Sequence, residues 1–224
     1  MQATSGSTAS LPSAAPAAST SSASVSTLAR LEPVSTASGF SFPPIYSFPP
    51  FFTKQRNSTT ANAQFSQWTT LVLNYCRHHR LYRLDLGETT LGHELWRNAA
   101  INRKTEASFQ LDILKHMVVS GLAMWDPPLS SRQLATTTPT GAFIFYRKPE
   151  EWGEIIYLWI AENGLLGSIL TLYELTTGGD LAPSAEFYEL PPPILKLALA
   201  HLQKTGRAQT FKGTEADGDG VKFF

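Results

Sequence analysis

The chain has 224 residues, with 18 Lys and Arg against 18 Asp and Glu, one cysteine and a pI near 7. A neutral chain has no global basic field for nucleic acid or anionic membranes, and Cys76 alone excludes a disulfide framework and a multi-cysteine zinc site. No apolar run approaches the ~18 residues of a membrane-spanning helix, and the N-terminus lacks the basic and apolar regions of a signal peptide.

Residues 1–39 contain 25 Ser, Thr or Ala, no aromatic side chain, and only Arg30 and Glu32 as charges. Such a segment cannot offset its own ordering entropy, so it is expected to be a disordered tail. It is Ser-rich and acid-poor like a mitochondrial presequence, but that reading needs several arginines and the tail has Arg30 alone. Composition changes at Phe40. Residues 40–52 read FSFPPIYSFPPFF, and ten of these thirteen are Pro or aromatic. Pro fixes φ and biases the residue before it toward extended geometry, so residues 40–57 are expected to form a stiff, polyproline-like arm. This arm either staples onto its own domain or serves as a ligand for another protein. The twice-occurring Pro-Pro-x-aromatic pattern, Pro43-Pro44-Ile45-Tyr46 and Pro49-Pro50-Phe51-Phe52, favours the ligand, because a pre-extended segment loses little entropy on docking. Pro43–Tyr46 also matches a PPxY ligand for WW domains.

A polar spacer, Thr53 to Ala63, separates the arm from helical periodicity at Phe65, Trp68, Val72, Tyr75 and Cys76. Leu81–Leu86 reads as a short strand or connector, and Gly92–Asn98 as a short helix. Thr105 is the expected N-cap of a third helix, with Phe109, Ile113, Leu114, Met117 and Val118 as its stripe and Gly121 as its stop. Leu122–Trp125 and Ala142–Tyr146 read as two strands. The pattern then restarts. Pro149 opens a helix carrying Trp152, Ile155, Ile156, Trp159 and Ile160. Ile169–Thr171 is a short strand and Leu172–Thr176 a short helix. Pro191–Pro193 open a helix that ends at Gly206, and Ala208–Phe211 and Val221–Phe224 close the chain as two strands.

The halves align. Phe65, Trp68 and Val72 match Trp152, Ile155 and Trp159 at an offset of 87, and Leu114 and Gly121 match Leu199 and Gly206 at 85. The expected fold is α+β: two tandem winged-helix domains, residues 58–148 and 149–224, preceded by the tail and the arm. A winged helix raises DNA binding by a transcription regulator as the alternative function. Neither third helix is dominated by cations, however. The first carries Lys115 and His116 with Glu106 and Asp112; the second carries Lys196, His201 and Lys204.

Catalytic patterns are absent: there is no GxxxxGK[ST] phosphate loop and no GxSxG elbow, and no cofactor is expected. Cys76-Arg77-His78-His79 is too tightly spaced for a zinc site and fits a helix C-terminus. Glu215, Asp217 and Asp219 begin like a calcium loop but lack its late bidentate acid.

SFPPFFTKQRN (47–57), the Trp68 helix running into Leu71-Val72-Leu73, RKPEEWG (147–153), TLYEL (171–175) and GVKFF (220–224) occur in an order that resembles the vacuolar protein sorting-associated protein 25 family, the small subunits of the ESCRT-II complex. The resemblance spans roughly residues 40 to 224. It implies a non-catalytic scaffold present in two copies per complex, with two larger winged-helix ESCRT-II subunits as partners. The docking residues it implies are Pro43, Pro44, Tyr46, Pro49, Pro50, Phe51 and Phe52. It further implies recruitment and activation of an ESCRT-III subunit by the second winged helix, for sorting ubiquitinated cargo into multivesicular bodies. The location it implies is the cytoplasm with recruitment to the endosomal membrane, without membrane insertion or nucleic-acid binding.

Overall fold

Apolar stripes at helical spacing need a surface to cover them, and this chain supplies two. A computed structural model of the protein describes residues 34–36, 38–86, 93–130, 132–178, 185–213 and 218–224. Most of the expected tail, residues 1–33, lies outside them. Its end does not behave as a tail: β1 (Val34–Ser35) pairs antiparallel with β2 (Ser41–Phe42), and Gly39 takes the positive φ of the turn. Phe40 and Phe42 are buried, and their burial holds the hairpin against the first half.

Two 3-10 turns, Pro44–Ser47 and Pro49–Phe52, lead into α1 (Ser58–His79). The helix starts inside the stretch read as a polar spacer. Asn57 caps it, its side chain accepting from the Thr60 N–H at 3.1 Å. The first turns carry little apolar periodicity because most of their residues face water. Then come β3 (Arg83–Asp85), α2 (His93–Trp96), a short ladder between β4 (Arg97–Asn98) and β5 (Arg103–Lys104), and α3 (Ala107–Val119). Glu106, not Thr105, is the N-cap of α3; Thr105 is buried, with its hydroxyl between the Trp96 carbonyl and the Gln110 amide. The first sheet is completed by β6 (Ala123–Asp126) and β7 (Gly141–Ile144), in the order β3-β7-β6, antiparallel throughout.

The second half repeats the plan: α4 (Pro149–Glu162), β8 (Ile169–Thr171), α5 (Leu172–Thr176), α6 (Pro192–Lys204), β9 (Ala208–Phe211) and β10 (Gly220–Phe223), with sheet order β8-β10-β9. Helix ends fix the register of the repeat. In α1 the Leu81 N–H bonds the Cys76 carbonyl around left-handed Arg80; in α4 the Leu165 N–H bonds the Ile160 carbonyl around left-handed Gly164. These pairs are 84 residues apart, which matches Trp68 to Trp152, Val72 to Ile156 and Cys76 to Ile160, all buried. The offset of 87 expected for this helix is therefore wrong: it placed Trp68 on Ile155, which is only half-buried. The offset of 85 for the third helix stands, since Gly121 and Gly206 both take positive φ at the ends of α3 and α6.

Two cores result, and they share a strand. Trp68, Val72, Leu95, Ile113, Leu114 and Met117 form the first, and Trp152, Ile156, Phe187, Leu195, Leu199 and Phe223 the second. In β7, Ala142 and Ile144 face the first core, while Phe143 and then Phe145 join the second. All four β7 residues are buried, rather than alternating with solvent. Tyr146 packs edge-on to Trp152 (6.2 Å between ring centres), and the Arg147 guanidinium lies 4.9 Å from the Trp152 ring. Among the described residues no helix is long and apolar enough to cross a membrane.

Because Trp152 closes both the second core and the seam, Trp152→Ala is expected to cost about 3–5 kcal/mol. Urea denaturation followed by far-ultraviolet circular dichroism checks this, and a loss under about 1 kcal/mol would show that the seam is not tightly packed.

Candidate partner-docking surface

Proline's fixed φ suits a 3-10 turn as well as an extended path, and backbone hydrogen bonds decide between them here. The N–H of Tyr46 donates to the Pro43 carbonyl at 2.9 Å and that of Phe48 to Ile45 at 3.0 Å. The N–H of Phe51 donates to Phe48 at 2.9 Å and that of Thr53 to Pro50 at 3.2 Å. The arm is therefore two tight turns joined at extended Phe48, not the polyproline-like path expected from its composition.

The turns divide the seven candidate residues into two sets. Tyr46, Phe51 and Phe52 are 1%, 3% and 2% exposed, inside the first core. Phe51 lies parallel to Trp68, with ring centres 4.4 Å apart, and Trp68 donates its indole N–H to the Phe51 carbonyl at 3.0 Å. Tyr46 stacks on Phe42 with ring centres 3.9 Å apart. Its hydroxyl reaches the backbone carbonyls of Glu94 and, at 2.9 Å, Arg97. Pro44, Pro49 and Pro50 are exposed and Pro43 is half-buried; Ile45 and Phe48 lie half-buried beside them. The aromatics thus act as a staple on the chain's own domain, and the prolines are what the arm offers outward. Expecting all seven residues to face a partner missed this, because Pro-Pro-x-aromatic spacing does not say which side of a turn finds a core.

Two grooves border the prolines. One, of about 550 Å³, runs between Pro43, Pro44 and Ile45 and the Gln67, Thr70 and Asn74 face of α1. The other, of about 430 Å³, lies between Ile45, Phe48 and Pro50 and Thr60, Ala63 and Gln67. Two residues that sequence reasoning passed over tie the turns down. Gln64 is 4% exposed: its Nε2 lies 2.9 Å from the carbonyl oxygens of Phe51 and Thr53, and its Oε1 accepts from the Gln55 N–H at 3.2 Å. Asn98 is 3% exposed and donates to the Tyr46 carbonyl at 2.8 Å. Gln64 follows the helical spacing of Trp68 and Leu71, the one signal that could have placed it inside.

The other sequence candidates fall elsewhere. Cys76 is fully buried and its thiol is pushed up by burial, while His78 and His79 pack around Phe40 at the end of α1. Among the described residues no group of His, Cys, Asp and Glu is placed to hold a metal; Glu215 and Asp217 of the acidic loop lie outside them. The basic residues of α3 and α6 are partly engaged: His116 stacks on Phe65, Lys196 lies 3.3 Å from Asp219, and His201 lies 3.8 Å from Glu154. The DNA-binding alternative therefore gains no support from these described residues. A WW domain would need the Tyr46 ring, which is buried, so the PPxY reading gains no support either.

A family model described as an ESCRT-II complex subunit matches residues 45–191. A zebrafish vacuolar protein-sorting-associated protein 25 is 39% identical over 185 residues, covering 83% of this chain and 99% of the relative. The human protein of the same name is 36% identical over 188 residues, covering 84% and 99%. The crystal structure of subunit VPS25 of the endosomal trafficking complex ESCRT-II superposes with a TM-score of 0.68 at 30% identity, covering 81% of this chain and 98% of that one. The crystal structure of endosomal complex ESCRT-II (VPS22/VPS25/VPS36) gives 0.67 at 31% identity, with the same coverage.

The Tyr46 phenol is held well above its ordinary pKa, by burial first and then by Glu94 and Tyr75; burial likewise raises Tyr75 and Tyr146. A group raised in the folded state contributes stability that is complete below its unfolded pKa, about 10 for tyrosine, and is lost as pH rises above it. Stability is therefore expected to fall above pH about 10. Tyr46→Phe should lower stability near neutrality by about 1–2 kcal/mol and make that alkaline decline shallower. Urea midpoints across the alkaline range check this, and an unchanged slope would exclude Tyr46 from the effect.

Proposed function

This chain belongs to the ESCRT-II complex subunit family, and from that premise we propose that it is a non-catalytic scaffold that docks on two larger subunits through its arm. The observation that carries the reading is the two-sidedness of the arm. Its aromatics bind the chain's own first core, which leaves Pro44, Pro49 and Pro50 exposed on a rigid ledge with Ile45 and Phe48 beside them. A preformed apolar ledge loses little entropy on binding and suits permanent assembly. In this reading the docking contact belongs to the prolines, while Tyr46, Phe51 and Phe52 hold the ledge in place from behind.

Each half, residues 58–148 and 149–224, is a winged helix: three helices and a strand pair acting as the wing, with an added strand completing the sheet. The partners are subunits of the kind that accompany VPS25 in the related complex, VPS22 and VPS36. Two copies per complex would give two outward-facing second halves, and linked sites raise avidity without new contacts. The second half is the one that recruits and activates an ESCRT-III subunit at the endosomal membrane, for sorting ubiquitinated cargo into multivesicular bodies. Its support is the set of large apolar side chains the second half leaves in water, among them Ile169, Tyr173, Phe211 and Phe224.

Pro49→Ala with Pro50→Ala is expected to reduce co-purification with the larger subunits by at least about tenfold without lowering the melting temperature, since both rings are exposed. Normal assembly of this variant would sink the docking reading. Ile169→Ser with Tyr173→Ser should leave that assembly intact and abolish capture of the ESCRT-III subunit in a pull-down; retained capture would move that contact elsewhere.

A further inference from the structure

We propose that the buried amides Gln64 and Asn98 are positioning residues for partner docking, one behind each proline-bearing turn; this rests on the docking reading above. A buried amide is costly unless its donors and acceptor are all used. Both are used here, and both are directed at the arm. Asn98 donates to the Tyr46 carbonyl of the first turn, and its Oδ1 accepts from the Ala100 N–H at 3.0 Å. Gln64 reaches the carbonyls of Pro50, Phe51 and Thr53 at 3.3, 2.9 and 2.9 Å and accepts from Gln55.

Gln64 is not needed to satisfy those carbonyls. Phe51 O also accepts from the Trp68 indole at 3.0 Å. Pro50 O also accepts from the Thr53 N–H and from Gln55 Nε2, and Thr53 O from Gln55 Nε2 at 2.8 Å. What Gln64 supplies is further direction. Ring burial is non-directional and the Trp68 indole ties the second turn to α1 at Phe51 alone, whereas Gln64 reaches three carbonyls and one N–H of the segment from a single side chain and so fixes where the turn sits on the helix. Proline cannot contribute a backbone N–H to such a tie, so the side chains of the domain make it. Fixing the segment before binding removes an ordering cost from the docking step.

The test uses the full chain titrated with its two larger subunits. Gln64→Met keeps the length and apolar bulk of the side chain and removes its amide. It is expected to weaken binding at least about tenfold, to speed amide exchange at Thr53 and Gln55, and to move the melting temperature little. An amide that is merely structural would lower the melting temperature and leave affinity measured well below it unchanged, and that result overturns the inference. Pro49→Ala with Pro50→Ala separates the two claims. If it weakens binding and Gln64→Met does not, the positioning role is wrong and the docking reading stands. If neither weakens binding, both are wrong. Should Gln64→Met melt so far below the parent that no folded chain is left for the binding titration, Asn98→Leu decides the case at the first turn: weakened binding in a folded chain supports the inference, and unchanged binding overturns it.

Discussion

The parallel contact between Phe51 and Trp68 is the interaction on which the first half depends. It joins the arm to α1 at the place where Trp68 also meets Phe52, Trp96 and Phe109. Removing the arm would take Phe40, Phe42, Tyr46, Phe51 and Phe52 out of the core together. A domain of this size buries a modest fraction of its surface, so five aromatic side chains are a large share of what holds it. The arm is therefore part of the domain, and any partner that meets it meets a preformed surface.

The second constraint is the sharing of β7. A strand covered on one face only would present Phe143 and Phe145 to water. Here both belong to the second core with Trp152, and Tyr82 and Tyr146 pack alongside that ring. The Arg77 guanidinium reaching the Tyr146 carbonyl at 2.7 Å and the Arg147–Glu186 ion pair add polar ties at the seam. These exposed or partly exposed charges contribute little by themselves; apolar burial does most of the joining.

Internal repetition supplies economy of design and also its ambiguity. Each half closes α1 or α4 with a left-handed residue and ends its third helix with a glycine at positive φ. The first closure uses Arg80 where the second uses Gly164, so no glycine marks it in the sequence. That is why spacing alone aligned the first helices three residues out of register while aligning the third helices correctly.

Several features follow from the sequence by itself: the long helices and the wing strands of both halves, the glycine stops at Gly121 and Gly206, the absence of catalytic patterns, and the family; the short ladder of Arg97–Asn98 with Arg103–Lys104, where a single helix over Gly92–Asn98 is expected, does not. Apolar periodicity and chain-breaking residues are local properties, and they survive being read along a line. Tertiary structure alone decided the start of α1 at a polar cap, the pairing of Val34–Ser35 with Ser41–Phe42, and the burial of Phe143 and Phe145. It also decided which side of the arm faces inward. Tyr46, Phe51 and Phe52 look like a free ligand when read beside four prolines, because aromatic side chains are equally suited to a partner's groove and to their own core. Which of the two they enter depends on whether Trp68, Gln64 and Asn98, brought from elsewhere in the chain, stand within reach, and no spacing within the arm records that.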